Sequence, residues 1–240
     1  PWFNLGTAER DLAAIARARG EDPAPFLARS REALGRAARL DASDATVHDE
    51  LARTEVLAAE AALESGRSPS AFLLEARRHL DRALSRDAKL ASARFDAARA
   101  SLVEALDARR RGARPDAAVA AARTSVARVR KDAPHDAEAL LMQARVGLEE
   151  VRTLLDRGRD ARARLEEALG AADAALAVNR ARAEAHAVRA ALLLQAARAA
   201  KAGGDRDGAR SAARLSAAAA LARNPKLEPF WTADLAAAVP

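Results

Sequence analysis

The segments Arg19-Gly20-Glu21-Asp22-Pro23 and Gly66-Arg67-Ser68-Pro69 decide the fold, because they are the same turn repeated after 46 residues. Glycine adopts the positive φ that ends one helix, and an aspartate or serine followed by proline begins the next. Glycines recur at this interval at Gly20, Gly66, Gly112, Gly158 and Gly204. A fixed period of about 20 to 50 residues predicts stacked copies of one supersecondary unit. We therefore expect no enzymatic activity from this chain by itself.

A second set of breaks lies between the glycines, where Ala-rich segments end in short polar sequences. These breaks are Leu40-Asp41-Ala42, Arg86-Asp87-Ala88, Asp132-Ala133-Pro134, Val178-Asn179-Arg180 and Arg223-Asn224-Pro225. Each period thus contains two breaks and two helix-length segments, so the repeating unit is a helical hairpin. Apolar residues at helical spacing, as in Leu73, Ala76, Leu80 and Leu84, support this interpretation.

The breaks also set the predicted boundaries. We predict paired helices at 2–19 and 23–40, 45–65 and 69–86, 90–111 and 115–131, 136–157 and 161–178, and 182–202 and 206–222, with a short last helix at 228–238. The repeats are 1–43, 44–89, 90–135, 136–181 and 182–226, followed by a closing segment at 227–240, all within one domain of residues 1–240. The predicted fold is all-α, a right-handed α-α superhelix (a solenoid) of five long helical hairpins plus a short C-terminal helix.

Composition excludes several classes of function. Half of the residues are hydrophobic, mostly alanine, and only 3% are aromatic, which favours closely packed helices over a thick globular core. The chain has no cysteine, so it contains neither a disulfide framework nor a thiolate metal site. No apolar run reaches the roughly 18 residues that a membrane span needs. The sequence starts at Pro1 without methionine, so we expect it to be a piece of a longer protein, and we place it in the cytoplasm.

The basic charge is a weak indicator of nucleic-acid binding. A formal net charge of +6 is mild for 240 residues, and the dense basic run is confined to Arg109-Arg110-Arg111. We attribute the abundant arginine and alanine to a GC-rich genome. Aromatic residues that would stack on bases are not interleaved with the arginines, which disfavours a nucleic-acid partner.

The start of the chain, Trp2-Phe3-Asn4-Leu5-Gly6, resembles the tetratricopeptide repeat (TPR), whose pattern begins W-x2-L-G-x2-Y. Glu9 replaces the tyrosine of that pattern. The segment Ala76-x3-Leu80-x2-Ala83 is similar to the second-helix pattern of the family. A small residue recurs at one position of each first helix, at Gly6, Ala52, Ala98, Ala144 and Ala190, where a bulky side chain would separate the paired helices. The usual period of the family is about 34 residues, so this chain resembles a lengthened relative.

The turn motif R-G-x-D/S-P, as in Arg19-Gly20-Glu21-Asp22-Pro23, is similar to repeats in C-terminal regions of some bacterial serine/threonine protein kinases. This resemblance implies a scaffold or regulatory segment of a larger bacterial protein. The chain contains no kinase motif, no Walker-type loop and no nucleophile–base motif. We therefore expect neither a cofactor nor catalysis.

The TPR resemblance also implies a binding surface, since the first helix of each pair lines the concave side in that family. The position that faces inward falls on Thr7, Arg53, Arg99, Arg145 and Ala191. We predict that Arg53, Arg99 and Arg145 bind an acidic peptide or helix, since guanidinium groups pair with carboxylates. Neighbouring groove positions are Asp49, Phe95 and Leu141. The alternative is a solvated face, because Arg31, Arg77 and Arg123 form a similar column on the second helices.

Two further hypotheses concern the histidines and the first helix. His48 and His186 occupy the same repeat position, three repeats apart, while His79 and His135 are isolated. Metal ligands must converge, so we interpret the histidines as core or surface residues and predict no metal site. Trp2 and Phe3 begin an uncapped first helix and motivate the alternative function, self-association without a foreign peptide.

Overall fold

The computed structural model describes residues 1–200, 204–225, 227 and 236–238, and in these ranges the regular structure is helical throughout. Its helices are α1 (Trp2–Ala18), α2 (Ala24–Leu40), α3 (Ala45–Glu64), α4 (Ser70–Arg86), α5 (Ala91–Arg110), α6 (Asp116–Asp132), α7 (Ala137–Asp156), α8 (Arg162–Val178), α9 (Ala183–Ala199) and α10 (Gly204–Arg223). The predicted all-α architecture of consecutive helical hairpins is confirmed. Most of the predicted closing helix at 228–238 lies outside the described residues.

The chain divides into two compact units, residues 1–125 and 126–240, and the division falls within α6. In the first unit, α1 pairs with α2 and α3 pairs with α4. Helix α3 also contacts α1, α2 and α5, so α1, α3 and α5 lie side by side. In the second unit, α7 pairs with α8 and α9 with α10, and α9 contacts both α7 and α8. First helices therefore pack on first helices within each unit.

The turn after α3 shows why glycine is required there. Gly66 has φ +78°, its N–H donates to the carbonyl of Leu63 at 3.1 Å, and the N–H of Arg67 donates to the carbonyl of Ala62 at 2.8 Å. These two hydrogen bonds form a Schellman motif, which satisfies the last carbonyls of the helix. The same pattern ends the helices before Gly20, Gly112 and Gly158. The predicted break also separates α9, which ends at Ala199, from α10, but Gly204 is the first residue of α10 rather than the residue that ends the preceding helix.

The hairpin turns also use the predicted capping side chains. The N–H of Ala24 donates to Asp22 Oδ1 at 3.0 Å, and the N–H of Arg162 donates to Asp160 Oδ1 at 2.9 Å. These bonds satisfy N–H groups of the first helical turn that have no partner within the helix. The helices α2, α4, α6 and α8 begin at equivalent places, at Ala24, Ser70, Asp116 and Arg162.

The small-residue column lies where the helices approach most closely. Its alanines are fully buried, at Ala52, Ala98, Ala144 and Ala190. A Cβ atom on Gly6 would lie 2.5 Å from Cγ of Leu34, which is closer than real Cβ atoms come. Helices α1 and α2 can therefore adopt their observed separation only when position 6 has no side chain.

Candidate functional site

Two of the predicted binding residues, Arg53 on α3 and Arg99 on α5, meet on one buried carboxylate. Nε of Arg53 donates to Oδ2 of Asp96 at 2.8 Å, and a terminal nitrogen of Arg99 lies 3.1 Å from Oδ1. Asp96 is fully buried, whereas 23% of the side-chain surface of Arg53 and 20% of that of Arg99 are exposed to solvent. Each oxygen of the Asp96 carboxylate thus binds one arginine.

The same pattern of contacts continues toward α1. Arg99 donates to Oε2 of Glu60 at 2.9 Å, and Arg17 donates to the same oxygen at 2.9 Å. Arg17 also forms an ion pair with Glu64. Together the six side chains Arg17, Arg53, Glu60, Glu64, Asp96 and Arg99 form what we call the first-helix ion network. This network joins α1, α3 and α5 through charge-assisted hydrogen bonds.

The network accounts for the charge state of Arg99. Burial lowers the pKa of Arg99, but the negative charges of Glu60 and Asp96 outweigh burial and raise that pKa above its ordinary value. Arg99 is therefore permanently charged, and its charge is already matched by carboxylates within the fold. The main role of the network is therefore to hold α1, α3 and α5 together.

The other predicted site residues have different surroundings. Phe95 is half-buried on α5, and Arg145 is half-buried on α7 in the second unit. Asp49 and Leu141 are only 1% and 4% exposed, and Leu141 belongs to the core of the second unit. A peptide on the surface could reach Arg53, Phe95 and Arg99 but not these two side chains.

Asp49 is a buried carboxyl group that is incompletely satisfied. Its Oδ1 has no hydrogen-bond partner, and its Oδ2 lies 3.5 Å from Arg53. Burial raises the pKa of Asp49 to about 6, a hydrogen bond from Ser92 opposes this rise, and the nearby charge of Asp96 adds to it. The folded chain therefore holds a proton on Asp49 at a pH where the unfolded chain has released it.

We expect Asp49→Asn to increase stability at pH 7. The folded-state pKa of about 6 exceeds the ordinary value of 3.8, so the ionised carboxylate destabilises the fold progressively as the pH rises from about 4 to 6. The difference corresponds to about 2 to 3 kcal/mol at pH 7. Urea unfolding at pH 4 and pH 7 should show the parent chain losing this amount relative to the variant.

The matched control for Asp49→Asn is Asp81→Asn, since Asp81 is an exposed aspartate on α4. Because Asp81 is exposed, Asp81→Asn should not reproduce the gain in stability of Asp49→Asn. If Asp49→Asn is less stable than the parent at pH 7, the carboxylate is ionised and needed there, and our account of its burial is wrong.

His48 and His79 form a contact that neither residue's sequence position predicts. Their Nδ1 atoms are 3.4 Å apart, and the rings are stacked with their centroids 5.6 Å apart. Nε2 of His48 donates to the carbonyl of Ala42 at 3.2 Å. Burial, together with the nearby His48 and Arg82, lowers the pKa of His79 to about 4. As the pH falls from 6.5 to 4, the unfolded chain gains a proton that folded His79 does not bind, so burial of His79 lowers stability on acidification.

The contact from His48 to Ala42 recurs at equivalent positions. Arg94 donates to the carbonyl of Ala88 at 2.7 Å, and His186 donates to the carbonyl of Arg180 at 3.0 Å. In each case the side chain reaches back six residues and binds a carbonyl in the break before its own helix. This shared hydrogen bond is a structural role for the position that His48 and His186 occupy.

The second column of arginines also joins helices. Arg31 on α2 donates to Glu55 on α3 at 2.5 and 3.0 Å, and Arg77 on α4 forms an ion pair with Glu104 on α5. Both arginines are thus bound to the following first helix. Across the described ranges, no three His, Asp or Glu side chains are arranged to hold a metal ion. No helix there has the length and apolar character to cross a membrane.

Comparison with solved structures identifies the architecture. The chain is similar, over 97% of its length and 98% of the other chain, to the crystal structure of a thermophilic TPR protein from Thermus thermophilus, with a TM-score of 0.60 and 17% identity. The fold is TPR-like. At this identity the similarity concerns the fold alone. No family model matches the sequence, and no curated protein matches it.

Proposed function

We propose that this TPR-like chain is a protein-interaction scaffold or regulatory module of a larger bacterial protein, and that it binds a peptide or helix along the face of its first helices. The observation that supports this proposal is the pair of partly exposed arginines on α3 and α5, with Phe95 one helical turn before Arg99. Arg145 occupies the equivalent position in the second unit. Within the first unit, α3 and α5 offer Arg53 and Arg99 to one extended ligand.

Recognition of an acidic partner would use the part of each guanidinium that the ion network leaves accessible. An arginine has five N–H donors, and Asp96 and Glu50 engage two of those of Arg53 as hydrogen bonds. A carboxylate of the partner would add to these contacts without breaking them. The acidic preference follows from the long-range charge of a basic chain and from the remaining donors.

A peptide library displayed on phage and selected on the immobilised chain tests this proposal. We expect the selected peptides to be enriched in aspartate and glutamate. We further expect binding to weaken by roughly tenfold or more in the triple variant Arg53→Gln, Arg99→Gln, Arg145→Gln, because each lost charged contact contributes about 1 kcal/mol or more. The triple variant also carries Asp96→Asn, because removing both arginines would otherwise leave the buried Asp96 carboxylate without a partner and destabilise the fold.

The matched control replaces arginines outside the first helices, namely Arg36→Gln and Arg78→Gln, which lie on α2 and α4. Circular dichroism must show unchanged helicity in both variants. Peptides without acidic enrichment, or peptides that bind the triple variant as well as the parent, would contradict the proposed binding face.

Self-association is the second candidate function, and the exposed apolar residues of α1 favour it. Sedimentation of the chain over a broad range of concentration tests this candidate. A concentration-independent monomer contradicts self-association and leaves the peptide-binding proposal intact.

A further inference from the structure

Helix α1 has an apolar face that no described residue covers. Leu5, Leu12 and Ile15 are 45% to 47% exposed, and Ala8 between them is also exposed. Positions 5, 8, 12 and 15 are spaced by three and four residues, which places their side chains along one stripe of a helix. Such a stripe is typical of packing surface rather than of a solvated helix face.

The equivalent face of α3 is covered, and the structure shows by what. Leu51 packs with Leu34 and Ala37 of α2. Ala58 of α3 packs with Leu27 of α2. Between them, the hydroxyl groups of Thr54 and Ser30 lie 3.0 Å apart in a buried hydrogen bond. Residues 51, 54 and 58 of α3 thus meet residues 34, 30 and 27 of α2, so the two helices are antiparallel.

The same arrangement recurs in the next pair. Ala100 of α5 shares a core with Leu73, Ala76 and Leu80 of α4, and α8 packs on α9 in the second unit. Each covering helix has an apolar residue, a small residue three positions later and another apolar residue after four more, as in Leu27, Ser30 and Leu34. The chain therefore specifies both the face and the kind of helix that fits it.

We propose that the face formed by Leu5, Ala8, Leu12 and Ile15 binds an amphipathic helix of another polypeptide, antiparallel to α1 and with the leucine–small–leucine pattern of α2. A second folded copy of this chain does not offer that pattern from α2, because Leu27, Ser30 and Leu34 are buried against its own helices. This surface is distinct from the arginine face of the first helices, so it goes beyond the proposed function.

The probe is a labelled peptide of residues 69–87, which carries Leu73, Ala76 and Leu80 between its own capping residues. Fluorescence anisotropy with the complete chain should show saturable binding. The variant Leu12→Ser, Ile15→Ser should bind at least about tenfold more weakly, because these two side chains supply much of the apolar area that binding would bury. Both side chains are exposed, so the variant is expected to fold.

Two controls separate this face from other apolar residues. The variant Leu40→Ser, Leu74→Ser removes two leucines that are exposed elsewhere in the first unit and should bind like the parent. A peptide with Leu73→Ser and Leu80→Ser should not bind. Absence of saturable binding, or equal binding by the Leu12→Ser, Ile15→Ser variant, overturns the proposal. If the chain forms a dimer and the Leu12→Ser, Ile15→Ser variant abolishes that dimer, the occupant of the face is a second copy of the chain. That result would also overturn the proposal.

Discussion

Replacing Asp96 with alanine is expected to lower the free energy of unfolding by about 3 kcal/mol, as for other buried carboxylates that pair with arginine. The carboxylate is fully buried and binds Arg53 and Arg99 at once. Its removal leaves two positive charges side by side, with only part of their partners remaining. Urea unfolding followed by Trp2 emission, in a chain that also carries Trp231→Phe, measures the change in the first unit.

The control for Asp96→Ala is Glu104→Ala, which breaks the ion pair with Arg77. Both members of that pair are well exposed, at 38% and 50% of their side-chain surface, and exposed pairs contribute about 1 kcal/mol or less. Equal effects of the two substitutions would show that burial of Asp96 confers no special role. In that case the first-helix ion network would not be what joins α3 to α5.

The helices and their turns could be predicted because the residues that fix them are adjacent in sequence. Helix α3 ends through hydrogen bonds from Gly66 to Leu63 and from Arg67 to Ala62. Pro69 then precedes α4. Neither feature depends on a distant part of the chain. At Gly204 the predicted break is present, but the glycine begins α10 instead of ending α9.

The partners of the arginines could not be predicted from helix position alone. Arg17 reaches Glu60 and Arg53 reaches Asp96, and both pairs are separated by 43 residues. The 46-residue spacing between the glycines is about one helical turn longer than this separation. Which charges meet therefore depends on how far one first helix is shifted along its axis relative to the next. A search for opposite charges at this separation would have found both pairs. It would also have shown that the predicted binding arginines are engaged within the fold.

The contact between His48 and His79 was missed for a related reason. The two residues lie on opposite helices of one hairpin, 31 positions apart. Sequence spacing identified the position that His48 shares with His186, but the rotation of α4 against α3 decides which side chain of α4 faces it. Helix rotation of this kind follows from packing of the complete hairpin.

Changing Gly6 to leucine is expected to destabilise the first hairpin by about 3 kcal/mol, at the upper end of the cost of overpacking a core. A Cβ atom there would already lie 2.5 Å from Cγ and 3.1 Å from the backbone nitrogen of Leu34. The side chain of Leu34 is fully buried, so it cannot move aside without displacing its neighbours on α3. Helices α1 and α2 must therefore separate. Thermal unfolding monitored by Trp2 emission should show the loss.

Gly35→Leu is the matched control, because Gly35 lies on the other helix of the same hairpin. A Cβ there has one neighbour, a guanidinium nitrogen of Arg39 at 3.8 Å, and leucine favours a helix interior over glycine by roughly 0.5 to 1 kcal/mol. We therefore expect Gly35→Leu to stabilise the chain while Gly6→Leu destabilises it. Stabilisation by both substitutions would mean that helix propensity dominates at position 6. Our conclusion that the close approach of α1 to α2 requires glycine at position 6 would then be wrong.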